Sequence, residues 1–215
     1  MLAAACLSCS GMASAAESAF YVAVDVGLVE PSVSASDGFQ VFATGVPISV
    51  LPQETRVRGT AMGWSGLVGY RVNRYLAGEF GYVNFGSVDI EETYDLSEFS
   101  PPLPPTTVLR SVSEVQGPTV SALGILPIDQ DRFEIFVRAG MLFADQTLKG
   151  DLGVARGVEL ENEQDLWLIG AGLAFRPASQ WSARLEYQAV DELRANTMTG
   201  SIRMWRISLG VVRQF

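Results

Sequence analysis

Histidine is absent from the 215-residue chain. That excludes Ser–His and Cys–His nucleophile pairs and the usual imidazole metal sites. Cysteine is almost absent: Cys6 and Cys9 both fall in an apolar leader (residues 1–16). Their CxxC spacing would suggest metal or redox work in a folded domain. In a cleaved leader it carries no such meaning, and neither cysteine follows a lipobox. The rest of the chain has no thiol, so no disulfide holds it. Lysine is reduced to Lys149, the net charge is −9, and no basic run appears. Nucleic-acid binding is thereby disfavoured. Long apolar runs are missing too. Past the leader, no stretch of about 18 apolar residues could form a membrane-spanning helix. Yet hydrophobic residues make up 48%, charged residues only 18%, and mean hydropathy is +0.21. The apolar residues must therefore be spread in some other pattern.

The leader, Leu2 to Ala16, is small and apolar, and Ala13-Ser14-Ala15 or Ser14-Ala15-Ala16 fits the small-residue cleavage rule. It reads as a signal peptide over 1–16, leaving 17–215 as one domain. No Lys or Arg precedes the apolar run, so the natural start is expected upstream of Met1.

The spreading is alternation. Trp181, Ala183, Leu185 and Tyr187 share one phase, and Ser182, Arg184, Glu186 and Gln188 the other. Period two means a strand with two different faces. Phe133 to Phe143 carries an unbroken apolar phase opposite Glu134, Arg138 and Gly140, with Phe136 and Leu142 among them. Phe20–Leu28, Trp64–Tyr70, Leu76–Asn84, Trp167–Phe175 and Arg203–Phe215 follow suit. Thr119–Leu126 is a strand by position, with faces the sequence does not assign. The count is about eight strands, an even number as closed membrane barrels have. Short connections are expected at 71–74, 127–132 and 177–180. Long ones are expected at 30–58, 87–116, 145–164 and 191–201. The second of these holds Pro101-Pro-Leu-Pro-Pro105, a stiff extended piece. Short turns at one end and long loops at the other is the layout of outer-membrane barrels.

Alternation alone does not say which face is inside. A soluble barrel buries its apolar face, and a membrane barrel turns it outward. Three features favour the membrane. The polar phase is glycine-rich (Gly69, Gly81, Gly140, Gly170, Gly172, Gly210), which suits a narrow filled interior. Aromatics cluster near strand ends, at Trp64, Tyr70, Trp167, Phe175, Trp181, Tyr187, Trp205 and Phe215, as interfacial girdles require. An export signal precedes an array that can close, and closure satisfies every backbone group in hydrocarbon.

Phe20-Tyr-Val-Ala-Val-Asp-Val-Gly27, Gly69-Tyr-Arg-Val-Asn-Arg-Tyr-Leu76 with Glu79-Phe-Gly-Tyr82, Leu126-Pro127 and Ile207-Ser-Leu-Gly-Val-Val-Arg-Gln-Phe215 occur in this order. On these stretches the chain resembles the OmpA-like eight-stranded outer-membrane barrel family over nearly all of 17–215. The resemblance implies a closed antiparallel up-and-down barrel in the bacterial outer membrane. Its implied partners are outer-membrane lipid, lipopolysaccharide and the barrel assembly machinery. Trp205, Ile207, Leu209, Val211 and Phe215 resemble the C-terminal assembly signal. Arg213 departs from the pattern, which has an apolar or aromatic residue there. Near the inner rim its head could snorkel to the headgroups. No peptidoglycan-binding domain follows Phe215 in this sequence, so a tether of that kind is not implied.

With the apolar face outward, the lumen is expected to hold Asp25, Glu79, Glu134, Arg138, Arg184, Glu186 and Arg206. An eight-stranded interior is just wide enough for side chains to fill. Buried charges must pair, so these residues should form a salt-bridge network that plugs the barrel. A gated ion or small-solute pore is the alternative. A second alternative is a soluble periplasmic barrel binding an apolar ligand, with the faces exchanged. No cofactor is implied. An enzyme is not expected, since a filled lumen offers no cleft and barrel hydrolases use a histidine. The outer loops carry Asp89, Glu91, Glu92, Asp95, Glu98, Asp145, Asp151, Glu159, Glu161 and Glu163. Beside anionic lipopolysaccharide such residues could hold bridging divalent cations. Their spacing matches no calcium loop, so they read as solvated charge on loops available for surface contact.

Overall fold

A computed structural model describes residues 19–34, 39–43, 46–50, 54–58, 60–95, 106–129, 132–152, 155–178, 180–194 and 201–215. The expected signal peptide (1–16) and the proline-rich piece (101–105) lie outside the described residues. Eleven strands run in chain order: β1 (Ala19–Ser34), β2 (Phe39–Ala43), β3 (Val46–Val50), β4 (Glu54–Arg58), β5 (Ala61–Asn73), β6 (Leu76–Asp95), β7 (Thr106–Ile128), β8 (Phe133–Leu152), β9 (Ala155–Ala178), β10 (Trp181–Arg194) and β11 (Ser201–Gln214).

Eight of these close an antiparallel barrel, in the order β1-β5-β6-β7-β8-β9-β10-β11 and back to β1. The closing seam pairs Tyr21 with Gln214 and continues to Ser34 with Ser201. The Phe215 amide donates to the Phe20 carbonyl at 2.9 Å, so the last aromatic is held in the ladder. β4 extends the outer edge of β6, and β2 and β3 form a separate hairpin.

The short connections are turns. In one, Asn73 Oδ1 accepts from the Tyr75 amide at 2.7 Å. In another, Asp129 takes a left-handed φ of 50° that its short side chain tolerates. The segments expected as long loops differ from expectation, because strand fills much of them. Ser87–Asp95 pairs with Thr106–Glu114, and Asp145–Leu152 is laddered with Ala155–Glu163. These stretches lack clean alternation because neither face meets lipid, yet each continues a ladder already nucleated in the wall below. The rim is uneven as a result. β6, β7, β8 and β9 have 20, 23, 20 and 24 residues, whereas β1, β5, β10 and β11 have 16, 13, 14 and 14. A membrane needs only about 9–11 residues per strand.

The apolar phase faces outward. Phe20, Val24, Met62, Phe80, Val137, Ile169, Leu209 and Phe215 are all exposed. Two aromatic belts bound this band. At the turn end Phe20 stacks beside Tyr70 and Phe133 beside Phe175, each at 4.9 Å. At the other end Trp64 meets Tyr82 and Tyr187 meets Trp205, each at 6.1 Å. The soluble alternative is thereby overturned: the alternating apolar phase is on the outside of the barrel, and the charged phase is buried within it.

The interior has three levels. Nearest the turns lies an apolar cluster that includes Tyr21, Leu67, Leu123, Phe136 and Val212. Farthest from them lies a second, with Val29, Val83, Phe85, Leu142, Leu168, Val190 and Met204. Between the two sit most of the buried polar groups, with Glu134 and Ser182 nearer the turns and Ser113 and Gln146 beyond the outer cluster. β8 displays the order plainly: Phe136, Arg138, then Leu142. β7 supplies Thr119 and Ser121 to the polar level and Leu123 and Ile125 to the lower one, which settles its faces.

Candidate functional site in the barrel lumen

The polar level is one connected network. Glu79 on β6 accepts from Arg184 Nη1 at 2.8 Å and from the Tyr21 hydroxyl at 2.7 Å, and its second oxygen lies 2.5 Å from Arg138 Nη2. Glu186 lies 2.7 Å from Arg138 Nε and 3.6 Å from Arg184 Nε. Two carboxylates and two guanidiniums thus alternate around a closed square. Arg138 Nη1 also donates to Ser121 Oγ at 3.2 Å.

Gln188 joins this square to a further ion pair. Its Nε2 donates to Glu186 Oε1 at 3.0 Å, and its Oε1 accepts from Arg206 Nη2 at 2.8 Å. Arg206 Nη2 also lies 3.0 Å from Asp25 Oδ1, and Asp25 Oδ2 accepts from the Ser65 hydroxyl. Three carboxylates therefore face three guanidiniums. Two of the cations also rest on rings, Arg184 at 4.3 Å from the Phe136 centroid and Arg206 at 5.5 Å from that of Phe85. Desolvating any one charge alone would cost several kcal/mol, so the set is tolerated only as a set.

Glycines make the room. The Tyr21 ring lies over Gly69 and the Phe136 ring over Gly172, where an added Cβ would collide with each ring. These two rings form part of the floor beneath the ionic square.

A smaller cluster stands at the turn-side mouth. Arg71 Nη1 and Nη2 grip Glu134 at 2.9 and 2.8 Å, and Arg176 Nη2 donates to the same carboxylate at 2.7 Å. They border a small cavity of about 30 Å³, partly open to solvent, whose lining includes Tyr21, Leu123, Phe136, Ser182, Arg184 and Gln214.

The side chains of Asp25, Glu79, Glu134, Arg138, Arg184, Glu186 and Arg206 are all buried inside the wall. Six of them meet in the network. Glu134 does not join it and pairs instead with Arg71 and Arg176, although Arg138 lies only four positions away on the same face. Tyr21, Gln188, Arg71 and Arg176 were not anticipated from sequence. Tyr21 and Gln188 lie on the inward phase and were open to that inference. Arg71 and Arg176 sit at strand ends beside turns, where the alternation lapses. Ile207, Leu209, Val211 and Phe215 share the exposed face of β11, with Trp205 half-buried beside Tyr187. Among the described residues no group of acids is placed to hold a metal ion.

A model of the OmpA-like transmembrane domain matches residues 15–215. The chain belongs to this family. The OmpA-like barrel shares its fold with Neisserial surface protein A, at 18% identity and a TM-score of 0.51, covering 91% of this chain and 97% of that one. It also shares it with the outer membrane protein OprG from Pseudomonas aeruginosa, at 10% identity and a TM-score of 0.59, covering 92% and 96%. No curated protein sequence matches the chain. Family membership and the outward apolar wall identify an outer-membrane barrel protein.

Proposed function

We propose that this OmpA-like barrel is a non-catalytic structural element of the envelope, with a closed lumen and outer strands that serve surface contact. The observation that carries this reading is the three-level interior. A neutral ionic layer lies between two apolar clusters, the lower one entered by a small cavity and the outer one buried, which supports a plug rather than a channel. A pore would require the ionic square to part and the cluster around Phe85, Leu142 and Leu168 to open as well. Outer-membrane lipid and lipopolysaccharide are the partners of the wall. The outward row Trp205, Ile207, Leu209, Val211 and Phe215 is the feature the assembly machinery would read. The test is conductance of the folded, heat-modifiable protein in planar bilayers. A silent membrane is expected. Steady ohmic steps from the folded barrel would overturn the plug and favour the narrow pore.

A further inference from the structure

Arg213 is the exception on the lipid-facing wall. It points outward on β11, with Val22 of β1 and Trp181 of β10 as its cross-strand partners. Among the described residues no carboxylate pairs with it. Its guanidinium carbon lies instead 5.4 Å from the Trp181 ring centroid and 5.0 Å from that of Phe215. Both rings are themselves exposed, and Val22 and Val211 complete an apolar surround.

We propose that Trp181, Arg213 and Phe215 form a binding site for the phosphate of one anionic phospholipid in the periplasmic-side leaflet. The depth is right, because these rings belong to the turn-side aromatic belt, which marks the headgroup level. The chemistry is right as well. A cation on a lipid-facing wall needs a counter-charge, and among the described residues no carboxylate lies within ion-pair reach of it. The two rings hold the guanidinium carbon without supplying an acceptor, and a guanidinium's planar fork of N–H donors matches phosphate oxygens. Held between two rings, the side chain loses little further freedom on binding. An anionic lipid is favoured over a zwitterionic one because its headgroup brings no second cation towards Arg213.

The test is native mass spectrometry on the full, folded, detergent-extracted barrel, titrated with phosphatidylglycerol or with phosphatidylcholine. Folding is first checked by the heat-dependent gel shift. The wild type should retain one phosphatidylglycerol in preference to phosphatidylcholine. Arg213→Gln should weaken retention about five-fold, the usual effect of one basic residue at a membrane surface. Trp181→Ala keeps the charge but removes one ring, so it should fall between the two. Retention unchanged in Arg213→Gln would overturn the site. So would full rescue by Arg213→Lys together with a silent Trp181→Ala, which would mean unspecific charge attraction. So would displacement of the lipid by millimolar inorganic phosphate, which would mean a free-anion site. Should Arg213→Gln fail to fold, Arg213→Lys and Trp181→Ala decide the question by the same readings.

Discussion

The middle and the outer level of the lumen occupy the same tube and are held by opposite means. Around Arg138 and Glu79 every side chain is charged or polar, and each depends on several others. Around Leu142 and Leu168 the side chains are apolar, and each loses only its own contacts when truncated. The comparison teaches that burial inside a membrane barrel is not one environment. The ionic level specifies a unique arrangement because a half-satisfied network is worse than none. The apolar level tolerates local change and excludes water regardless of how the ions below are arranged.

This contrast can be broken or sharpened by substitution, read as urea unfolding of the barrel folded into lipid vesicles. The largest effect is expected from Arg138→Met, which leaves Glu79 and Glu186 to share the single guanidinium of Arg184. A loss of about 3–5 kcal/mol follows from breaking a buried pair, and a loss under about 1 kcal/mol would deny that the network is dry. Leu142→Ala in the outer level should cost about 2–5 kcal/mol through lost burial and a residual cavity. The two sites share no partner, so the double variant should be additive within about 0.5 kcal/mol. A larger deviation would mean that the levels are mechanically coupled. Neither single variant should conduct in planar bilayers, because the other level still closes the tube. Tyr21→Phe removes one hydrogen bond to a charged group and should cost about 1.5–3 kcal/mol. Asp89→Asn, on the exposed outer wall of β6, should change stability by less than about 0.5 kcal/mol.

Much of the barrel was legible in the sequence, because lipid imposes a strict two-residue period wherever a strand crosses it. Trp181–Gln188 and Phe133–Phe143 declare both faces at once. A charge on the polar phase of such a run, as at Glu79, Arg138 or Arg206, faces inside, whereas Arg213 on the apolar phase faces out. The partners were not legible. Which guanidinium meets which carboxylate depends on how the strands are staggered around the closed sheet, and no single strand records that. Glu134 therefore finds Arg71 at the turn end of β5 rather than Arg138 on its own face. The outer apolar level was hidden for a different reason. Where Leu142 and Leu168 face inward, apolar residues lie on both sides of the strand and the alternation cancels. The strand beyond the membrane was read as loop because Asp89, Glu114 and Glu163 carry no lipid imprint.

The unequal rim gives the molecule a front and a back. A tube of even height offers the same profile from every bearing in the plane of the membrane. Here the wall made by β6 to β9 stands well above the side made by β10, β11, β1 and β5. A neighbour arriving on the side of β6 to β9 meets a parapet bearing Asp145, Glu161 and Glu163, and one arriving on another bearing meets different residues. Spinning about the membrane normal therefore becomes a variable of encounter. In a crowded membrane the barrel acts as a compass needle, and what it touches depends on which way it is turned.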